Sequence, residues 1–370
     1  MFHGGYGVRL SFRRMHPTPL IASDDHLAHD GLVELVGGVP VRCYESPERA
    51  IAIRDALMAT GGFVLEAPEE HGPDPIAAVH DLELIDVVEH VWTDAVAAGH
   101  DPMRSLLPDV FLLREYAGGM ELEQLPSARH DRLGAYCFDT GTPIVAGTAA
   151  AARASVDIAL TALDRVLAGA TLAYGLCRPP GHHAARNLIG GYCFYNNAAI
   201  AAESVLARGA QRVAILDVDF HHGNGTQQIF WERDDVLYVS LHGDPRGIYP
   251  YYSGYATERG AGPGERLTLN LPLAPGADGD TYLAALADAL AAIRAFEADA
   301  PLILSLGFDT YHADPICNLA LRTDDYRPIA AAIAALGMPI VALQEGGYAV
   351  DALGANAVAF LGGLRDGSTG

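Results

Sequence analysis

R-V-A-I-L-D-V-D-F-H-H-G-N-G-T, residues 212–226, changes character halfway along. Its first half is a continuous apolar run of β-branched residues and Leu, the signature of a strand buried on both faces. Its second half is polar, punctuated by glycine and dense in Asp and His. Four other runs read like the first half: T-L-A-Y-G-L-C (171–177), V-L-Y-V-S-L (236–241), P-L-I-L-S-L (301–306) and M-P-I-V-A-L (338–343). Between them, residues 196–208, 281–297 and 324–336 have helical periodicity or Ala-rich composition. Alternating strand and helix predicts an α/β fold, with a parallel sheet covered by helices on both faces.

Open sheets of this kind bind ligands beyond the carboxyl ends of their strands. The polar clusters fall at those places: R-P-P-G-H-H-A with His182 and His183, D-V-D-F-H-H-G-N-G-T from Asp217, G-F-D-T-Y with Asp309, and Q-E-G-G-Y ending in Tyr348. Packing gives no reason for four separate strand ends to supply His, Asp and Tyr to one rim.

In extended backbone, residues i and i+2 share a face, so Asp217, Asp219 and His221 point together while Val218 and Phe220 point away. A D-x-H pair offers a carboxylate oxygen and an imidazole nitrogen to one divalent metal, although alone the pattern is weak. With Asp309 as a third ligand, a fourth position stays open for water, as in catalytic rather than structural zinc sites. Two carboxylates and a neutral imidazole cancel the charge of a divalent ion. Its water is then less acidified than at an all-imidazole site, where the pKa falls to about 7. Such a site needs a general base and a carbonyl-polarising donor. The His182–His183 pair and Tyr348 are residues of the required types, and Gly346 and Gly347 allow Tyr348 a close approach.

These motifs, R-P-P-G-H-H-A, D-V-D-F-H-H-G-N-G-T-Q, S-L-H-G-D-P, S-L-G-F-D and E-G-G-Y in that order, resemble the histone deacetylase/acetylpolyamine amidohydrolase family. The likeness is nearest to the bacterial acetylpolyamine amidohydrolases. It runs from about Tyr174 to Gly347 and beyond, with weaker similarity before it. The resemblance implies a three-layer arginase/deacetylase fold and one deacetylase domain over residues 1–370. It implies Asp219, His221 and Asp309 as zinc ligands, with Fe²⁺ an alternative ion in the cell. His182 and His183 form the implied dyad, Asp217 bonds His182, Asn224 bonds His183, and Tyr348 stabilises the oxyanion. Tyr192 and Tyr249 become aromatic walls of a narrow channel, and Ile316 follows the D-P pair where one group of polyamine enzymes carries a gatekeeping glutamate. A structural potassium ion is implied at Asp217, Ser240 and the backbone carbonyls of Asp219, His221 and Leu241. The implied reaction is amide hydrolysis: His183 takes a proton from the attacking water, and a dyad histidine protonates the leaving amine. An Asn at 224 stabilises an imidazolium less than Asp would, so His183 is expected to remain neutral and basic.

The substrate stays open between acetylated polyamines and acetyl-lysine in proteins or peptides. A non-catalytic acyl-amine binding module would need one of these groups to be missing, and none is. An arginase-like binuclear site would need ligands that the motif set lacks. The rest of the chain narrows the choice. With 24 Lys+Arg against 46 Asp+Glu, the formal charge is −22, which disfavours nucleic acid and suits a cationic ligand. Five cysteines without a C-x-x-C pair argue against a disulfide framework or a cysteine zinc cluster. No apolar h-region opens the chain and no run reaches membrane-spanning length, so a soluble cytoplasmic protein is expected. Residues 99–141 lack a clear period and carry several Pro and Gly breakers, which marks an insertion at a channel mouth or an interface. Its V-F-L-L run calls for a covering surface, for which a second copy in a homodimer is the expectation. His130 or Asp131, or else Glu121 or Glu123, would then take the place of the family's ammonium-reading glutamate.

Overall fold

The computed structural model describes residues 17–112 and 125–367. In chain order the elements are β1 (Thr18–Ile21), β2 (Val33–Val36), β3 (Val39–Arg42), α1 (Pro47–Ala59), β4 (Phe63–Glu66), α2 (Asp74–Val79), α3 (Leu82–Ala97) and α4 (Thr148–Leu167). There follow β5 (Leu172–Gly175), α5 (Asn197–Ala207), β6 (Val213–Asp217), α6 (Asn224–Phe230), β7 (Val236–Gly243) and β8 (Thr268–Leu273). The chain continues with α7 (Gly279–Phe296), β9 (Leu302–Leu306), α8 (Thr323–Ala334), β10 (Ile340–Gln344) and α9 (Val350–Gly367). Eight strands form one parallel sheet in the order β4-β1-β5-β10-β9-β6-β7-β8, and β2 and β3 make a separate antiparallel hairpin.

Alternation along each central strand divides the core in two. Val213, Ile215, Ile303, Val341 and Leu343 face one apolar layer, formed with α3, α4 and α5. Ala214, Leu216, Leu302, Leu304, Ile340 and Ala342 face the other, formed with α1, α7, α8 and α9. Because both faces are covered, the strands read as unbroken apolar runs, and all five expected ones lie in the sheet. The strands that sequence periodicity missed are β1, β4 and β8 of this sheet and β2 and β3 of the hairpin. β1 to β4 have four residues each, and β8 has a half-buried face.

The described parts of 99–141 pack on their own chain more than expected. Leu106, Leu133, Tyr136 and Cys137 join the α3–α4 layer. Leu106 bridges Ile144, and Arg129 pairs with Asp86 and Asp94 on α3. Leu106, ahead of the V-F-L-L run, is therefore already covered, whereas Val110, the first residue of that run, is 62% exposed. Leu113, Glu121 and Glu123 lie outside the described residues.

Candidate active site

The four polar clusters meet because their strands are neighbours in space, not in sequence. The sheet places β5, β10, β9 and β6 side by side. The His182–His183 loop follows β5, Tyr348 follows β10, Asp309 follows β9, and Asp219 and His221 follow β6. All six side chains are buried or nearly so.

Asp219, His221 and Asp309 bring their ligand atoms within 4.8 Å of one another, the only such group among the described residues. Backbone amides orient the carboxylates: His221 N–H donates to Asp219 Oδ1 (2.8 Å), Gly346 N–H to Asp219 Oδ2 (2.7 Å) and Phe220 N–H to Asp309 Oδ1 (2.9 Å). His221 Nδ1 lies 3.0 Å from Asp309 Oδ2. Burial, reinforced by the neighbouring Asp219 carboxylate, pushes Asp309 up to about 7. A divalent cation resolves that conflict of charge, so the donor set fits one metal ion. A Cβ on Gly346 would lie 2.3 Å from Asp309 Oδ2, and hence no larger residue fits there.

The dyad histidines have opposite surroundings. His182 Nδ1 contacts Asp217 Oδ2 at 3.1 Å. Burial opposes a charge on His182, but the Asp219, Asp217 and Glu345 carboxylates outweigh it and push the group up to about 10. His183 Nδ1 faces Asn224 Oδ1 at 2.7 Å. Burial, then the His182 and His221 imidazoles, hold His183 well below the usual histidine value. The Asn224 amide nitrogen donates to Tyr252 OH (3.0 Å) and, at 3.4 Å, to the His183 carbonyl. A carbonyl only accepts, which orients the amide with its oxygen towards His183. His183 Nδ1 therefore carries the proton and Nε2 keeps a free lone pair.

His183, His221 and Tyr348 share a cavity of about 380 Å³ with Tyr192, Tyr249 and Ile316, the three residues expected along the channel. The Tyr192 and Tyr348 rings meet edge to face at 5.6 Å, and Tyr249 packs against His183 at 5.0 Å. Asp217 and Ser240 are buried partners across the β6–β7 ladder. Asp217 accepts from Tyr238 OH (3.0 Å), and the Ser240 hydroxyl bonds His242 Nδ1 (2.8 Å). Leu241 is buried beside them.

His130 and Asp131 pair with each other at 3.3 Å and do not line the cavity within one chain. Among the described residues, the acidic groups that do line it are Glu34, from the β2–β3 hairpin, and Asp139. Asp139 accepts from Gly191 N–H (2.6 Å) and Tyr249 OH (2.8 Å), so it braces the aromatic walls. Glu34 is buried and its Oε1 has no hydrogen-bond partner among the described residues. Burial pushes Glu34 up to about 7, against a Tyr192 hydrogen bond that favours its charge.

Sequence reasoning also missed the residues that hold the His182–His183 and Tyr348 loops. Glu345 accepts from the Gly181 (2.7 Å) and His182 (3.1 Å) amides and from Ser305 Oγ (3.0 Å). Arg49 donates to the Gly347 (2.5 Å) and Glu345 (2.7 Å) carbonyls, with its guanidinium 4.7 Å from the Tyr348 ring centre. Glu345 had a signal, as an acid inside a strand-end motif. Arg49 and Glu34 had none.

Comparison with known proteins places these features in context. Residues 43–364 match the histone deacetylase domain family. The chain is 46% identical to acetylpolyamine amidohydrolase 2 of Pseudomonas aeruginosa over 93% of its own length and 98% of the relative's. It is 41% identical to the acetylpolyamine amidohydrolase of Mycoplana ramosa over 93% and 99%. The crystal structure of an acetylpolyamine aminohydrolase from Burkholderia pseudomallei superposes with a TM-score of 0.88 at 38% identity, covering 95% of this chain and 99% of that one.

Proposed function

The chain belongs to the histone deacetylase family and is a deacetylase; from that premise we propose that it removes the acetyl group from acetylated polyamines. The observation that carries this substrate class is Glu34. A buried carboxylate on the cavity wall, with one oxygen unpartnered, suits an ammonium some distance from the scissile amide. Relatives bearing the polyamine activity in their names over nearly their full length support the same reading.

We assign Asp219, His221 and Asp309 as ligands of one zinc ion, which when bound supplies polarisation of the acetyl carbonyl and acidification of a water. His183 Nε2, uncharged and unprotonated, accepts the proton of the attacking water. The same nitrogen then delivers it to the departing amine. His182, bonded to Asp217 at 3.1 Å, packs its ring against His183 with centres 4.0 Å apart and helps to fix that residue in place. Tyr348 donates a hydrogen bond to that oxyanion. Tyr192 and Tyr249 admit a narrow alkyl chain, and Ile316 lines the same passage. Acetate and a free primary amine leave.

Asp217, Ser240 and the carbonyls of Asp219, His221 and Leu241 are an oxygen-rich set that suits potassium, which we propose as a structural ion there. A homodimer joined through residues 99–141 is also part of this proposal, supported by Met103 (78% exposed) and Val110 on that segment.

Substrate class is tested by kcat/KM for acetylputrescine, acetylspermidine and an acetyl-lysine peptide on one preparation. The polyamines are expected to lead by at least tenfold, about 1.4 kcal/mol of discrimination. A peptide preference would make the enzyme a lysine deacylase instead.

A further inference from the structure

Resting on the reading of Tyr348 as the oxyanion donor, we propose that Asp314 is a positioning residue that locks Tyr348 in place and ties it to the channel wall at Ile316. Asp314 lies in H-A-D-P-I, on the connection between β9 and α8, and is 5% exposed. Its Oδ2 accepts the Tyr348 amide at 2.6 Å and the Ala349 amide at 3.1 Å, while Oδ1 accepts the Ile316 amide at 3.2 Å. Among the described residues its charge is met by these backbone N–H groups, with no Lys or Arg ion pair.

Tyr348 needs such an anchor. It follows two glycines, and Gly347 sits at φ +119°, where the backbone has more freedom than any other residue would leave it. The loop is held from two sides by complementary charges. The Arg49 guanidinium takes the carbonyls of Glu345 and Gly347, and the Asp314 carboxylate takes the amides of the next two residues. An oxyanion donor is effective only within about 2.7–3.1 Å of the oxygen it stabilises, and a misplacement of about 1 Å can cost a hundredfold in rate. Asp314 neither lines the cavity nor belongs to the Asp219–His221–Asp309 group, so it acts through the Tyr348 hydroxyl. Since the same carboxylate also holds the Ile316 amide, the wall that selects substrate and the donor that activates it share one anchor.

The test is a double-mutant cycle on the full-length, metal-loaded enzyme, with whichever acetylated amine it turns over fastest. Asp314→Ala is expected to lower kcat by about 10–100-fold with metal content nearly unchanged, while release of the Ile316 wall shows separately in KM. Asp314→Asn, which keeps an acceptor for the two amides, should recover most of that loss. In a Tyr348→Phe background, either Asp314 substitution should change kcat less than twofold, since the hydroxyl it positions is gone. An equal loss with and without the Tyr348 hydroxyl overturns the proposal and makes Asp314 a general support of the fold. If Asp314→Ala does not fold, Asp314→Glu, which keeps the charge but displaces the carboxylate from the two amides, takes its place in the cycle with the same two outcomes. Should Tyr348→Phe alone leave kcat intact, the oxyanion role fails first, and the assignment of Asp314 falls with it.

Discussion

Tyr348, Asp309 and Glu34, proposed as oxyanion donor, metal ligand and substrate-reading wall residue, each make a distinct prediction. Tyr348→Phe should retain metal and lower kcat by about 10²–10³, the usual cost of one oxyanion donor. Steady-state kinetics checked against metal content separates this from a binding role, which would raise KM alone. Asp309→Ala should lose both metal and activity, because Asp219 and His221 leave only two ligands. Metal analysis after dialysis reads the first effect without any turnover assay, and chelation of the parent enzyme should mimic it. Glu34 gives a pH signature. Its carboxyl, raised by burial to about 7, is neutral below that pH and charged above it. Attraction for a substrate ammonium is therefore absent at low pH and grows as pH passes 7. KM for acetylputrescine should fall across pH 6–8, and Glu34→Gln should flatten that dependence while acting on KM rather than kcat. An unchanged slope in the variant would remove Glu34 from substrate recognition.

The β2–β3 hairpin and the N-terminal turn of α1 reach into a site whose named chemistry comes from the carboxyl ends of β5, β6, β9 and β10. Glu45, just before α1, is the joint. Its Oε1 pairs with Arg49 Nη1 at 2.6 Å and with Arg178 Nε at 2.8 Å, all three side chains being almost wholly buried. Arg49 leads to the Tyr348 loop, and Arg178 opens the R-P-P-G-H-H loop, so one carboxylate spans both segments. Burial makes charging Glu45 costly, yet Arg178 and Arg49 hold it below the ordinary carboxylate value. Removing one partner of a buried pair leaves the others uncompensated. Glu45→Ala should thus destabilise the protein by about 3–5 kcal/mol, visible as a lowered denaturation midpoint. A midpoint within experimental error of the parent would show that water or rearrangement replaces the pair. Neither Glu45 nor Arg49 was legible in the sequence. S-P-E-R reads as a helix start, and nothing local announces that its arginine bonds a loop 298 residues away.

Residues 99–141 bear on the assembly as a whole. Because Leu106, Leu133, Tyr136 and Cys137 are core, excising the segment would open the α3–α4 layer rather than only remove an interface. A point change is the better probe: Val110→Glu should shift a sedimenting dimer towards monomer, and a parent that sediments as a monomer at micromolar concentration overturns the dimer. No helix among the described residues is long and apolar enough to cross a membrane. The fold class, five core strands and the Asp, His and Tyr groups at their ends were readable from residue order. Strands buried on both faces must be apolar throughout, and catalytic groups at their ends break that pattern abruptly. β4 and β8, at the two edges of the sheet, are only partly buried and so lack an unbroken apolar run; they and β1, next to β4, emerged only with the sheet. Strand order, too, has no local signature. The adjacency of β5, β10, β9 and β6 comes from parallel crossovers, which bring Asp309 to Asp219 and Tyr348 to His183 across long separations in sequence. The contributions of Glu34, Glu45, Arg49, Asp139 and Asp314 depend on such long-range placement, because a carboxylate or guanidinium acquires its function from what it is buried against.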